Sequence, residues 1–122
     1  MKLPENHQTL MPYLILGDAR GFLEFAQNVF DAEILLEHLD DDNRIIHAEI
    51  KIGESTIMIG QSNEFWGVNN AGMFIYVKNA DFVYNHAIQQ GAESIMEPSD
   101  KDYGRSCGVK DPFGNIWWIT SF

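Results

Sequence analysis

The spacing of apolar residues in the first half of the chain predicts five elements in the order β-α-β-β-β. A short apolar run over residues 10–16 indicates a buried strand, and Asp18 directly after it is placed to cap a helix. Three strands are predicted next, over residues 32–39, 45–52 and 56–59, with polar turns between them. The helix is predicted from an i, i+3, i+4, i+7 stripe made by Phe22, Phe25, Ala26 and Val29.

The second half repeats this order. A strand is predicted over residues 73–77, a helix follows that Asn79 caps and Gly91 ends, and further strands are predicted over 93–96, 105–110 and 116–119. Residues 98–104 are predicted to form a polar loop. The cap positions Asp18 and Asn79 lie 61 residues apart, as do the turn glycines Gly53 and Gly114. The repeat is therefore one of pattern, with little sequence identity between the halves.

Two such repeats predict an α+β protein of two βαβββ modules. Module 1 spans residues 10–61, a linker with Gly67 and two asparagines spans 62–71, and module 2 spans 72–122. A single module covers one face of its sheet with its helix and leaves the other face bare, so it would be marginal alone. We therefore expect one domain over residues 1–122, in which two curved mixed sheets combine to enclose a cavity.

Composition narrows the class of protein. At 45% hydrophobic, the 122 residues suffice for a core. Eight basic against 18 acidic residues give a net charge of −10, which argues against nucleic acid and against an anionic membrane as partner. No apolar run reaches the length of a membrane span, and the first residues lack the apolar core of a signal peptide, so we expect a cytoplasmic protein. The single cysteine, Cys107, excludes an intrachain disulfide.

Three segments resemble the glyoxalase, bleomycin-resistance and extradiol-dioxygenase superfamily, also called vicinal oxygen chelate proteins. The resemblance implies a fold of paired βαβββ modules, and it covers the chain from about Met11 to Phe122. The superfamily includes lyases, dioxygenases, epimerases and antibiotic-binding proteins, so the fold does not assign an activity. The segments are Asp111-Pro112-Phe113-Gly114-Asn115 with the strand after it, Gly91-Ala92 through Glu97-Pro98 to Tyr103-Gly104-Arg105, and His47-Ala48-Glu49-Ile50 followed by Gly53.

The resemblance also implies where enzymes of this superfamily usually place metal ligands, mostly His and Glu on the first and last strands of each module. In this sequence none of the corresponding side chains is a usual ligand of a hard divalent metal. We therefore expect neither the usual metal site nor a cofactor. The four positions fall at Met11, at Met58 or Ile59, at Gly72 or Met73, and at Trp118.

His47 and Glu49 are the strongest candidates for chemistry. They lie two apart on one predicted strand, so both face the same side, while Ile46, Ala48, Ile50 and Ile52 are predicted to face the helix. In a partly apolar cavity they could serve as a general acid–base pair, as polar anchors for a ligand, or as part of an unorthodox metal site. The alternative is a half-exposed strand with a polar outer face.

Aromatic residues supply the remaining candidates for ligand binding. Tyr13 and Ile15, with Phe74 and Tyr76 in the second module, are predicted to face the cavity. Trp118 is predicted either as the floor for a flat ligand or as core, and Trp66 either as a contact to a ligand or partner or as a local loop anchor. Arg105, beside Tyr103, could hold an anionic group or form a surface ion pair. Trp117 is expected against a helix, Cys107 as a buried inert thiol, and His38 and His86 as surface groups.

Three functions remain open from the sequence. The first is a metal-independent protein that binds a small, partly hydrophobic molecule, of the sequestration or resistance type, and forms a homodimer. The second is a lyase or isomerase that uses His47 and Glu49, and the third is an interaction module whose acidic surface meets a basic protein. The sequence leaves open which ligand or reaction is involved, and whether the modules pair within one chain or across a dimer.

Overall fold

A computed structural model describes residues 1–122, and their contacts divide into two units, Met1–Asn69 and Asn70–Phe122. Each unit contains one helix and one four-stranded mixed sheet, which confirms the predicted α+β class and the βαβββ repeat. The division falls inside the predicted linker. Enclosure of a cavity by the two sheets together, and pairing of two chains, stay predictions.

In unit 1 the first strand pairs in parallel with the last, and the remaining pairs are antiparallel, so the sheet order is β1-β4-β3-β2. The helix begins after Asp18, whose carboxylate accepts a hydrogen bond from the Gly21 amide at 2.9 Å, as the sequence predicts. Its buried stripe packs on the sheet and includes the predicted Phe22, Phe25 and Ala26. The elements are β1 Tyr13–Leu16, α1 Ala19–Phe30, β2 Glu33–Leu39, β3 Ile45–Ile52 and β4 Ser55–Gln61.

Unit 2 has the same arrangement, with sheet order β5-β8-β7-β6. Asn79 caps its helix through the Phe82 amide at 3.1 Å, and Gly91 follows the helix end with a positive φ of 101°. Gly53 and Gly114, the turn glycines of the repeat, also both have positive φ, at 57° and 96°. The elements are β5 Gly72–Tyr76, α2 Ala80–Gln89, β6 Glu93–Lys101, β7 Gly104–Lys110 and β8 Ile116–Ser121.

Three local predictions are wrong. The first strand begins at Tyr13, and Leu10 is exposed. The predicted loop over 98–104 is instead mostly strand, because β6 continues to Lys101. β6 is an edge strand with a register shift between Met96 and Ser99, so Pro98 sits where its missing N–H costs no regular ladder bond.

The third error concerns Ile46, which is 56% exposed and does not face the helix. The register between β2 and β3 shifts by one residue here, since His38 pairs with His47 and Leu39 pairs with Ile45. Ile46 therefore has no partner on β2, and Ile45 takes the buried position. Ala48 and Ile50 are buried as predicted.

Candidate functional site

Unit 1 contains a cleft of about 670 Å³ at one end of its sheet. Strands β1, β3 and β4 provide one side, and the start of α1, the β2–β3 hairpin, residues 62–63 and Trp66 provide the rest. Aromatic, aliphatic and imidazole groups meet there, which is typical of sites for small molecules. The lining includes Tyr13, Ile15, Ile46, His47, Gly60 and Trp66.

Gly60 makes the floor of this cleft. It pairs with Ile15 on β1 and with His47 on β3, so it lies between them in the sheet. A Cβ atom at this position would lie 3.1 Å from Ile15 Cδ1 and 3.4 Å from the Tyr13 hydroxyl. Because Gly60 has no side chain, the Tyr13 ring can occupy this space.

Four polar side chains form one chain of hydrogen bonds beside the cleft, which we call the relay: Tyr13, His47, Glu49 and His7. Tyr13 Oη lies 3.1 Å from His47 Nδ1, and His47 Nε2 lies 3.2 Å from Glu49 Oε2. The other carboxylate oxygen, Oε1, lies 2.7 Å from His7 Nε2. His47 and Glu49 share one face of β3, as the sequence predicts, and both are largely buried.

The pKa of Glu49 is lowered from its ordinary value of 4.5. The hydrogen bond from His7 is the largest cause, and the bond from His47 and the charges of both imidazoles add to it against the effect of burial. Glu49 is therefore ionised at neutral pH and accepts from both histidines. In neutral His47 the proton is then on Nε2, so Nδ1 carries a lone pair and accepts from the Tyr13 hydroxyl.

His7 is the functional candidate that the sequence did not reveal. It precedes Glu49 by 42 positions, in a segment without regular secondary structure, and no spacing pattern links the two. Neighbouring side chains attach the same segment to the sheet, since Gln8 donates to the Thr56 carbonyl at 2.7 Å and Lys51 donates to Asn6 at 3.3 Å. This segment thereby places an imidazole on the carboxylate of β3.

His38 is a surface residue, as predicted, but it also lies beside the relay. It is exposed, but it is the cross-strand partner of His47, and the ring centroids lie 6.0 Å apart. The spacing of residues in the sequence could not predict this contact, because the bulge at Ile46 determines which residues of β2 and β3 pair.

Trp66 lies at the edge of the cleft in a tight turn. The side-chain oxygen of Asn63 accepts from the amides of Phe65 and Trp66 at 2.8 and 2.7 Å, and the Asn63 amide donates to the Trp66 carbonyl at 2.9 Å. These bonds fix the backbone, while the residue as a whole is 65% exposed. Trp66 is thus an exposed aromatic side chain on a hydrogen-bonded turn.

The other predicted aromatic contacts belong to unit 2. Phe74 lies 5.2 Å from Tyr76 and 6.2 Å from Tyr103 between ring centroids, and all three are exposed. Trp118 pairs with Phe74 and covers Gly108, where a Cβ atom would overlap the indole. Trp117, on the opposite face, is buried, and its Nε1 donates to Asp111 at 2.8 Å.

Arg105 lies in an ion-pair cluster. Its Nε donates to both oxygens of Asp81 on α2, at 2.9 and 3.1 Å, and its Nη1 donates to Asp100 at 3.2 Å. This is the surface ion pair that the sequence left as one alternative. Cys107 is buried without an activating base, and desolvation, with a smaller contribution from Asp81, raises the pKa of its thiol to about 11.

The donor groups do not fit a divalent metal. The four superfamily ligand positions hold thioether, aliphatic, glycine or indole groups, and no three His, Cys, Asp or Glu side chains are grouped to hold a metal ion. In the relay, His7 and His47 point to different oxygens of Glu49.

No helix of this protein combines the length and the apolar character that crossing a bilayer requires.

Known proteins were compared with this chain at the level of both sequence and fold. An uncharacterized protein of Mycobacterium tuberculosis, Rv0887c, is 28% identical over 120 residues, which cover 88% of this chain and 71% of that protein. The crystal structure of TioX from Micromonospora sp. ML1 superposes with a TM-score of 0.78 at 21% identity, over 94% of this chain and 98% of that one.

A second solved structure gives the same fold. A glyoxalase/bleomycin resistance protein/dioxygenase family enzyme from Burkholderia phytofirmans PsJN has a TM-score of 0.71 at 19% identity, over 89% of this chain and 94% of that one. The sequence profile of the same superfamily matches residues 6–119, almost the whole chain. The chain therefore belongs to the glyoxalase/bleomycin resistance protein/dioxygenase superfamily.

Proposed function

We propose that this protein binds a small, flat, partly hydrophobic molecule in the cleft of unit 1, without the divalent metal of its superfamily, as a sequestration or resistance protein does. One observation carries the proposal: Tyr13, His47 and Trp66, three residues predicted as ligand contacts, line the same 670 Å³ cleft. A cleft of this size accommodates a molecule of drug-like or metabolite size.

The shape of the cleft supports a flat ligand. The glycine floor at Gly60 leaves a shallow space beside the Tyr13 ring, and Trp66 presents an indole that can stack on an aromatic face. Ile15 and Ile46 add apolar lining, the second because the bulge in β3 turns it outward. Stacking with apolar contact is the main source of affinity that these groups offer.

Both arginines at the rim already donate hydrogen bonds within the protein. Arg44 forms an ion pair with Asp40 at 2.9 Å, and Arg20 donates to the Asn43 carbonyl at 2.9 Å. The lining also contains two aspartates, Asp18 and Asp40, so its four charged residues carry no net charge. The rim therefore favours a neutral ligand over an anionic one.

The test is a panel of neutral aromatic compounds, with binding measured by isothermal titration calorimetry and by tryptophan fluorescence. A binding compound should quench the fluorescence of the wild type, and Trp66→Leu should remove most of the quenching and weaken binding about tenfold, as expected for the loss of one stacked aromatic contact. Phe65→Leu is the matched control, because Phe65 occupies the same turn outside the cleft lining. Binding that Trp66→Leu and Tyr13→Phe both leave unchanged would refute this site.

A second candidate, a lyase or isomerase, is favoured by the relay alone. The chain of hydrogen bonds runs from Tyr13 through His47 to Glu49. Enzymes that use general acid–base catalysis arrange a proton-transfer group, an imidazole and an orienting carboxylate in the same order. If a compound from the panel is turned over, His47→Ala should abolish turnover while the melting temperature stays near that of the wild type. Turnover that survives His47→Ala would reject the relay as its source.

A further inference from the structure

The hydrogen bonds of the relay have a fixed direction, and this direction determines what the cleft offers to a ligand. Ionised Glu49 has no proton to donate, so it accepts from His47 Nε2 at 3.2 Å and from His7 Nε2 at 2.7 Å. Neutral His47 then has its only proton on Nε2. Its Nδ1 must accept, and the Tyr13 hydroxyl 3.1 Å away must donate to it.

The groups that face His47 on its own and the neighbouring strands are consistent with a proton on Nε2. β1 contributes Tyr13, β3 contributes Glu49, and β4 contributes Gly60, which has no polar side chain. β2 contributes His38, whose ring lies 6.0 Å from that of His47 between centroids. Glu49 is the only acidic group in this set, and it alone fixes the proton on Nε2.

We infer that the ligand of the cleft carries a hydroxyl or N–H donor that binds the Tyr13 oxygen, so that the site selects flat molecules with a phenol-like or amide-like donor over those with an acceptor alone. The hydroxyl hydrogen of Tyr13 is committed to His47, which leaves the oxygen lone pairs directed to other donors. The side chain of Tyr13 is half exposed and lines the cleft, so a ligand can reach that oxygen. This inference rests on the proposed function and specifies its ligand class.

Three probes of similar size distinguish the contribution of a hydrogen-bond donor from that of the aromatic ring. 2-Naphthol has a hydroxyl donor, 2-methoxynaphthalene has the same ring without a donor, and quinoline has an acceptor alone. The titrations are made at about pH 7.5, above the ordinary pKa of a free imidazole. We expect 2-naphthol to bind the wild type about tenfold more tightly than the other two, the effect of one net hydrogen bond.

Two variants locate the preference. Tyr13→Phe should reduce the advantage of 2-naphthol to less than about threefold, whereas Tyr84→Phe should leave it unchanged. Tyr84 is a matched control because its hydroxyl bonds to Ser94 within unit 2 and the residue is not part of the cleft lining. Glu49→Gln should also reduce the advantage and improve the relative binding of quinoline, because an amide that donates to His47 Nε2 reverses the direction of the relay.

The outcomes separate this inference from the proposed function. Binding of all three probes with equal affinity would overturn the donor preference and leave the binding site intact. A preference for 2-naphthol that Tyr13→Phe does not change would overturn the assignment to the Tyr13 oxygen. Binding of none of the probes would overturn the proposed function for flat aromatic ligands, and the inference with it.

Discussion

Replacement of Asp111 by asparagine should destabilise unit 2 strongly although the two side chains have nearly the same shape. The buried Asp111 carboxylate accepts four hydrogen bonds. Oδ1 accepts from the amides of Phe113 and Asn115, both at 2.9 Å, and Oδ2 accepts from Asn115 Nδ2 at 2.9 Å and Trp117 Nε1 at 2.8 Å. In either orientation, an asparagine amide would direct its NH₂ group at two of these donors.

The magnitude follows from those two lost bonds. Hydrogen bonds to a charged group contribute about 1.5–3 kcal/mol each, so the loss of two predicts a decrease of about 3–6 kcal/mol in the free energy of unfolding, before relaxation. Urea denaturation followed by circular dichroism measures it, and the midpoint should fall by more than about 1 M. Asp42→Asn is the control, because Asp42 is an exposed residue of the β2–β3 turn. A decrease below about 1 kcal/mol for Asp111→Asn would refute this account.

Three further predictions concern unit 1 and the buried thiol. Gly60→Ala should weaken binding of 2-naphthol at least fivefold in calorimetry, because the new methyl group displaces Tyr13 or Ile15. The control Gly67→Ala should not weaken it, since no atom lies within 4 Å of a Cβ at that position. Equal affinities of the two variants would contradict the role of Gly60 as the floor of the cleft. Because the pKa of Glu49 is lowered on folding, its ionised form stabilises the protein above about pH 4.5. The difference in free energy of unfolding between the wild type and Glu49→Gln, measured in urea titrations, should therefore shrink as the pH falls below that value. A difference that grows would be inconsistent with this account. Cys107, with its pKa raised to about 11, should react with Ellman's reagent at pH 8 only after unfolding, and rapid labelling of the native protein would disprove its burial.

The sequence predicts the elements well where local patterns determine them. Asp18 and Asn79 cap the two helices as expected, since a cap is a contact over three residues. The Asp111 motif also has a local physical basis, because its carboxylate closes the turn around Gly114 and binds the following strand. These interactions explain why a short motif identifies the fold.

The candidate site was only partly predictable, for two reasons. His7 reaches Glu49 across 42 positions, and nothing in either local pattern encodes that contact. The bulge that exposes Ile46 depends on the pairing of β2 with β3, which alternation of apolar residues cannot show. Alternation did place His47 and Glu49 on one face of β3, as the structure shows, and their contact with a ligand stays a prediction.

The chemistry of the cleft emerges only when these separate elements combine. Taken alone, Tyr13 is a half-exposed strand residue and His7 is a polar residue of an irregular segment. His7 donates the shorter bond to Glu49 and is the largest cause of its lowered pKa, so this distant segment helps to keep the carboxylate ionised. An ionised carboxylate fixes the proton of His47, and His47 in turn takes the hydroxyl hydrogen of Tyr13. The ligand preference that we propose therefore depends on Glu49, which lies outside the cleft lining, and Glu49→Gln should change selectivity between donor and acceptor ligands without a change in the shape of the cleft.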